Sequence, residues 1–572
     1  MLLFTTELHT ALPLLLALFS TWHCVVNARA PIVALKYGVF QGAFDGNLSV
    51  FRGVPFAQPA VRFALPKLPS VLHGVQNATV FSPACPQQAS IPPPPLPPSA
   101  VPQQSEDCLK LNVFAPSSAN SRSKLPVLVW IYGGGFEFGN SPDTEVRPLV
   151  ERSIATGEPI IVVTPNYRVS AWGFLAGKEV AGERITNLGL RDQIFALEWV
   201  QEHIAAFGGD PARVVIGGIS AGAISAAVLL LSNKRFEPTA LFRGAVMLSG
   251  SPPTTGSVAD GQPYYDELVA ANNCTGQKDS LNCLRHIPLD AFKATVDKTP
   301  NVFSFSSVQN VWRPRIDGDI IVQNPLISVS EGLYAKIPIM TGDSDDEGTV
   351  FSLSSANLTT NDEFVGYLHS KSAFHLPFVL FHRLTAGCMS SFFPKSTPAE
   401  IAELAAFYPD DPTQGSPFDT GLANQFTPQF KRIAAFQGDF LFTGTRRFYL
   451  EHASKTQNTW SWLNKRGKST PIFGAAHGSD INIWFPTSIL NSTDLNPVDA
   501  LVNFINTLDP NHPQADAHNT SAVVWPKWNV PSSNGSSSLL VLSDPGVVNV
   551  TGENFRVDAI KYLFGLLLKE AY

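Results

Sequence analysis

The most regular stretch of the chain lies between residues 125 and 250, where short apolar runs alternate with longer segments of helical period. Val127-Leu128-Val129-Trp130-Ile131 and Ile160-Ile161-Val162-Val163 are β-branched runs ending in turn residues, the pattern of strands buried on both faces. Leu188 to Ala206 predicts a helix, with Asn187 at the cap position and Ile194, Leu197, Val200 and Ile204 three or four residues apart. Gly208-Gly209-Asp210-Pro211 reads as a stop, after which Arg213 to Ile216 predicts a strand and Ala221 to Leu231 a helix. Strand and helix in alternation imply an α/β fold: a large, mostly parallel central sheet with helices on both faces. Near the end, Ile560, Leu563, Phe564, Leu567 and Leu568 mark one apolar helical face, with Lys561 and Lys569 as its only bases. Docking on the core is expected of that face rather than a membrane surface.

Composition narrows the functional classes. The 572 residues are 44% hydrophobic and only 15% charged, below the ~25% of average soluble chains, so a sizeable buried core is expected and wholesale disorder is not. A formal charge of −7, with 40 scattered basic residues, leaves no electrostatic footprint for nucleic acid. Ala11 to Phe19 is too short an apolar run to span a bilayer, and small residues follow it, so residues 1–28 read as a secretory signal cleaved after Ala28. Met1 to Thr10 departs from the usual pattern by lacking Lys and Arg. Residues 29–572 are then expected to form a single domain without a transmembrane anchor, secreted to the extracellular space. Eight glycosylation sequons, at Asn47, Asn77, Asn273, Asn357, Asn491, Asn519, Asn534 and Asn549, agree with export. Cys24 leaves with the signal. Cys85, Cys108, Cys274 and Cys283 admit three pairings, of which the near-neighbour one is preferred, and Cys388 reads as a buried free thiol.

Two glycine motifs carry the chemistry. Gly218-Ile219-Ser220-Ala221-Gly222 sits between a predicted strand and a predicted helix, the setting in which a tight turn lifts a serine nucleophile. Gly133-Gly134-Gly135 follows the strand ending at Ile131; the N–H groups of Gly134, Gly135 and Ala221 are the expected donors to an oxyanion. Neither an HExxH pair nor a phosphate-binding or dinucleotide-binding loop is present, so neither metal nor organic cofactor is expected.

With these motifs, Phe51-Arg52-Gly53-Val54-Pro55-Phe56-Ala57, Glu106-Asp107-Cys108-Leu109, Asn166-Tyr167-Arg168-Val169 and the run from Gly189 to Pro211 resemble the type B carboxylesterases and lipases, the cholinesterase-like α/β-hydrolases. The likeness extends over nearly the whole mature sequence. It implies the α/β-hydrolase fold and a triad of Ser220, Glu347 in Asp345-Asp346-Glu347-Gly348-Thr349, and His477 in Ala476-His477-Gly478-Ser479-Asp480. His477 would take the Ser220 proton and Glu347 would orient the imidazole. Read alone, Asp345 and Asp346 suggest a solvated acidic turn. The resemblance further implies disulfides Cys85–Cys108 and Cys274–Cys283, and a buried Arg52–Glu106 ion pair.

Departures from the family pattern shape the substrate. Ile219 stands where Glu commonly precedes the nucleophile, and no aromatic residue lies between Cys85 and Cys108 to face a quaternary ammonium, which argues against choline esters. Phe136-Glu137-Phe138 is similar to fungal members, and Phe136, Trp172 and Phe174 are candidate pocket walls. Short to medium apolar acyl esters are expected as substrates. A lipase for long-chain acylglycerols or sterol esters is the alternative, with a lid between Cys85 and Cys108 that contains the proline-rich stretch Pro92 to Pro102. Polyproline is stiff, and the 22 residues between these cysteines carry few large apolar side chains, mainly Ile91, Leu96 and Val101. A catalytically dead binding protein on the same fold is the third reading.

Overall fold

The computed structural model describes residues 30–97, 101–305, 307–369, 392–488, 496–511, 523–530 and 535–571. The expected signal segment, Cys24, Cys388, and the sequons at Asn491, Asn519 and Asn534 lie outside these residues.

A small sheet joins β1 (Ile32–Leu35), β2 (Gly38–Gln41) and β5 (Val75–Asn77). The large sheet contains β3 (Ala43–Asp45), β4 (Leu48–Pro55), β6 (Lys110–Pro116), β7 (Leu125–Ile131), β8 (Ile161–Pro165), β9 (Gly209–Ile219) and β10 (Gly244–Leu248). It continues through β11 (Ile339–Ser344), β12 (Thr459–Asn464), β13 (Ser537–Ser543) and β14 (Val547–Glu553), in the order β14-β13-β12-β11-β10-β9-β7-β8-β6-β4-β3. Neighbours from β8 to β13 run parallel, while the strands at both edges are antiparallel.

Period-two alternation decides where each side chain goes. In β7, Val127, Val129 and Ile131 join one apolar layer, whereas Leu128 and Trp130 join the layer on the opposite face. Successive strands β6, β7 and β8 lie toward one edge, but β9 returns to the other side of β7 and the chain then builds outward to β13. The order therefore reverses at the β7/β9 boundary, where open α/β sheets leave a crevice beyond the strand ends.

The predicted helix from Leu188 is α-helical to His203 and tightens to a 3-10 turn over Ile204–Phe207 before Gly208, whose φ is 95°. Asn187 precedes it but does not cap it: its φ is 51°, and its amide donates to Arg315 O and Asp317 Oδ2, each at 2.8 Å. The helix is instead pinned by Arg168, which grips Asp192 through Nε and Nη2, both at 2.7 Å. Strand β9 begins at Gly209, earlier than the glycine stop suggests. Gly209 pairs with Leu125 and Val214 with Val127, so the intervening Asp210-Pro211 is taken up as a register shift.

Disulfides join Cys85 to Cys108 and Cys274 to Cys283. The expected Arg52–Glu106 pair does not form. Arg52 lies inside the register shift of β4 between Phe51 and Val54, and its side chain reaches Asp45 at 3.2 Å instead. Glu106 receives Arg62, bound through Nε at 2.8 Å and Nη2 at 3.1 Å, and Arg62 also donates to Leu284 O and Ile287 O. The C-terminal helix Val557–Ala571 buries Ile560, Leu563, Phe564 and Leu567 against neighbouring helices, and Leu568 is half-buried. Asn47, Asn77, Asn273, Asn357 and Asn549 are all exposed. Among the described residues no helix is long and apolar enough to cross a membrane.

Candidate active site

Strand β9 ends at Ile219 beside the end of β7, with Gly218 opposite Ile131, and the chain turns at once into the helix Ala221–Leu230. Such a reversal leaves no room for side chains on its inner face. A Cβ on Gly222 would stand 2.1 Å from Ile131 O, and one on Gly218 would stand 2.4 Å from the Gly222 carbonyl carbon. Ser220, at the apex, has φ 56° and ψ −124°, a strained conformation held in place by the packed helix behind it. That helix is buried along its whole length, and its free N-terminal N–H groups put partial positive charge beside Ser220.

The next two elements bring the other polar groups to the same crevice. Glu347 follows β11; its Oε1 accepts from Ser344 N and from Ser249 Oγ, each at 2.6 Å, which fixes the carboxylate plane. Its Oε2 lies 2.5 Å from His477 Nδ1, and His477 Nε2 lies 2.9 Å from Ser220 Oγ. Phe351 and Phe442 flank the imidazole, with ring centroids 5.1 and 4.7 Å away. This row of contacts can move a proton from Ser220 Oγ to Nε2 while the carboxylate balances the charge that forms on the ring.

The acidic turn is not solvated. Asp345 and Asp346 are 5% and 0% exposed, because Lys468 Nζ sits 2.5 Å from the first and 2.8 Å from the second. Asp346 also accepts from Ala475 N at 2.8 Å, and its own N–H donates to Ala475 O at 2.9 Å. The segment before His477 is thus locked to the segment before Glu347. Asp480, three residues beyond His477, is buried, and that burial with the nearby Glu347 charge pushes its carboxyl up to about 7.

The glycine loop after β7 turns through left-handed backbone: φ is 101° at Gly134, 63° at Gly135 and 64° at Phe136. A Cβ on Gly134 would fall 2.2 Å from Phe138 O. Gly134 O accepts from Glu137 N and Phe138 N, and Gly135 O accepts from Asn310 Nδ2. The N–H groups of Gly134 and Gly135 meet no acceptor among the described residues, and that of Ala221, at the first position of its helix, lacks an intrahelical partner. Gly134, Gly135 and Ala221 line the same cavity as Ser220. Glu137 is buried, accepts from Val302 N at 2.7 Å, and is pushed up to about 8 by that burial.

A cavity of about 340 Å³ opens beside Ser220 and His477 and is lined largely by apolar groups, among them Phe136, Val302, Val308, Ile321 and Phe440. Trp172 and Phe174 do not line it. Both belong to a wholly buried turn of helix, Ser170–Phe174, where Trp172 packs edge-on to Phe292 and Phe174 supports Phe136 from behind at 5.1 Å. None of the described residues between Cys85 and Cys108 lines the cavity either. Gln87 and Gln88 fasten that segment to Gly139 N and Glu137 O, while Ile91 and Val101 are 80% and 77% exposed. Sequence reading missed Ser249, Asn310 and Glu137. Ser249, directly after β10, was open to discovery by the rule that strand ends face the crevice; Asn310 lies in an irregular segment with no periodic signal.

The chain is 38% identical to "Lipase 4" of Diutina rugosa, over 94% of this chain and 96% of that one. It is 34% identical to "Secreted triacylglycerol lipase LIP1" of Gibberella zeae, covering 94% and 90%. Among solved structures, Aspergillus niger EstA superposes with a TM-score of 0.77 at 24% identity over 95% of this chain and 99% of that one, a likeness of fold. A PNB esterase does so at 0.69 and 26%, over 93% and 99%. Residues 29–544 match the carboxylesterase family model, so the chain belongs to the carboxylesterase family and is a carboxylic-ester hydrolase.

Proposed function

We propose that the protein is a secreted serine esterase acting through an acyl-enzyme, with Ser220 as nucleophile, His477 as general base and acid, and Glu347 as the group that orients it. The observation that carries this is the unbroken run from Glu347 Oε2 to Nδ1 and from Nε2 to Ser220 Oγ, at 2.5 and 2.9 Å. Ser220 Oγ attacks the ester carbonyl as its proton passes to Nε2, and the carbonyl oxygen becomes an oxyanion received by Gly134, Gly135 and Ala221 N–H. Collapse of the tetrahedral intermediate breaks the bond to the alcohol, which leaves with the proton from Nε2. Water then repeats the sequence on the acyl-enzyme, releasing the acid and restoring Ser220.

Substrate size follows from the cavity. About 340 Å³ is at the lower end of the roughly 300 to 1,000 Å³ of small-molecule sites, which favours short to medium apolar acyl groups. Export is supported by the short apolar run at the N-terminus and the exposed sequons. The second reading, a lipase, is favoured by the names of the relatives and by exposed Ile91 and Val101 on the disulfide-closed segment. Initial rates on aryl esters of increasing acyl length, for wild type beside Ser220→Ala, separate these. The esterase reading expects an inert Ser220→Ala and a wild-type rate that declines past medium chains; rates that climb for long chains above their solubility limit would make it a lipase. Hydrolysis undiminished in Ser220→Ala would remove the triad.

A further inference from the structure

A second groove, of about 950 Å³, adjoins the catalytic cavity, and the two share Thr254, Thr255, Asn310, Arg313 and Phe440 as common wall. Its character is different: where the cavity is largely apolar, the groove is lined by Arg313 of the shared wall and by Arg315. Among the described residues neither guanidinium has a salt bridge. Arg315 is 4% exposed; its Nη2 donates to Val311 O at 3.1 Å, and its Nε is buried with no acceptor. Among the described residues Arg313 forms no hydrogen bond, and its Nε is buried without an acceptor. Arg315 is buried and Arg313 half-buried; burial and then the Arg313 charge bring Arg315 down to about 10, and burial lowers Arg313.

Three carboxylates, Asp260, Glu267 and Glu570, also line the groove, and among the described residues none of them makes an ion pair with either guanidinium. Asp260 attracts both arginines, and its Oδ2 accepts from Ser257 N at 2.6 Å and Ser257 Oγ at 3.1 Å. Burial raises the carboxyl of Glu267. Glu570 accepts from Lys395 N, at 2.9 and 3.0 Å from its two oxygens, and from Ser396 Oγ at 2.9 Å. A guanidinium without a direct ion pair can still offer an incoming carboxylate charge-assisted hydrogen bonds from its planar donors.

We propose that Arg313 and Arg315 form a carboxylate-binding subsite at the neck between cavity and groove, so that the ester preferred by this enzyme bears a free carboxylate on one of its two halves. The inference rests on the ester-hydrolase reading of the adjoining cavity and names the substrate class within it. Binding would place the reacting carbonyl at Ser220 and the remote anion at Arg313, the ester bond alone being broken.

The test uses full-length protein and two series of matched aryl esters. One carries a terminal carboxylate on acyl chains of graded length, the other carries it on the aryl alcohol, and each has a neutral partner of the same shape. The readout is the ratio of kcat/KM between charged and neutral partners. The subsite predicts a wild-type ratio above one in at least one series, a fall of 10-fold or more in Arg313→Gln, a similar direction in Arg315→Gln, and partial retention in Arg313→Lys. A wild-type preference for the neutral partner throughout both series overturns it. So does a preference that survives in both glutamine variants. Because the readout is a ratio, a variant with less folded protein still reports on the subsite, and Ser220-dependent hydrolysis of the neutral partners keeps the esterase reading intact if the subsite fails.

Discussion

Glu137 stands one residue beyond the left-handed turn of the glycine loop, and its carboxyl is pushed up to about 8 from an ordinary 4.5 by burial, against the Val302 N–H that favours the charged form. A raised carboxyl means that folding takes up a proton between those two values. The stability this confers is fully present below pH 4.5 and is lost as the pH rises through about 8. Glu137→Gln, which is neutral at every pH, should therefore melt close to wild type at pH 4 and above it at pH 9. A wild type that melts higher at pH 9 would show that the buried carboxylate is welcome. Two positions earlier, Gly135 keeps its N–H free and Gly134 has no space for a methyl group, since a Cβ would meet Phe138 O at 2.2 Å. Gly134→Ala should lower turnover by about 10²-fold or more on every ester, as expected for displaced oxyanion donors; unchanged turnover in folded protein would move those donors elsewhere.

Between elements, the decisive contact is that of the helix Ala221–Leu230 against the end of β7. Gly222→Ala would press a methyl group to within 2.1 Å of Ile131 O, with backbone on both sides and no rotamer to relieve it. Overpacking of this kind costs about 1 to 3 kcal/mol or more, so the urea midpoint should fall. Gly565 in the C-terminal helix is the control: it is exposed, nothing lies within 4 Å of its would-be Cβ, and Gly565→Ala should raise stability by about 0.5 to 1 kcal/mol. Equal effects at the two sites would refute the close-approach account. The same contrast explains what was legible in the sequence. Val127 to Ile131 and the Gly-X-Ser-X-Gly turn are local signals, read from period and from glycine spacing, and they locate one half of the site. Glu347 and His477 are 130 residues apart, and nothing local in either segment points to the other; only family resemblance suggested them. Ion-pair partners were the least legible. Arg52 and Arg62 both flank the first strands, and the choice of Glu106 between them depends on a register shift in β4 that the apolar pattern does not encode.

For the molecule as a whole, the sheet is held in its second half by one charged group as well as by apolar layers. Arg446 is fully buried; its Nε binds Asp343 of β11 at 2.6 Å, its Nη1 binds Ser461 of β12 at 2.7 Å, and its Nη2 binds Glu553 of β14 at 2.6 Å. One side chain thereby links three strands on the half of the sheet that carries Glu347 and leads to His477. Replacing both charges with apolar groups is often harmless, but removing one leaves the others buried and unpaired, at about 3 to 5 kcal/mol. Arg446→Ala should therefore unfold at much lower urea than wild type, and the loss should be larger than for any exposed pair such as Lys36–Glu202. Glu553 sets the pH dependence. Although burial opposes its charge, Arg446 and Arg447 hold it down at about 2, below an ordinary 4.5. Its contribution is thus complete above pH 4.5 and disappears as the pH falls through about 2. Glu553→Gln should be strongly destabilised at pH 7 and approach wild type at pH 2, in urea titrations followed by tryptophan fluorescence; a deficit that stays constant between those pH values would mean that packing around the side chain, rather than its charge, holds this half of the sheet together.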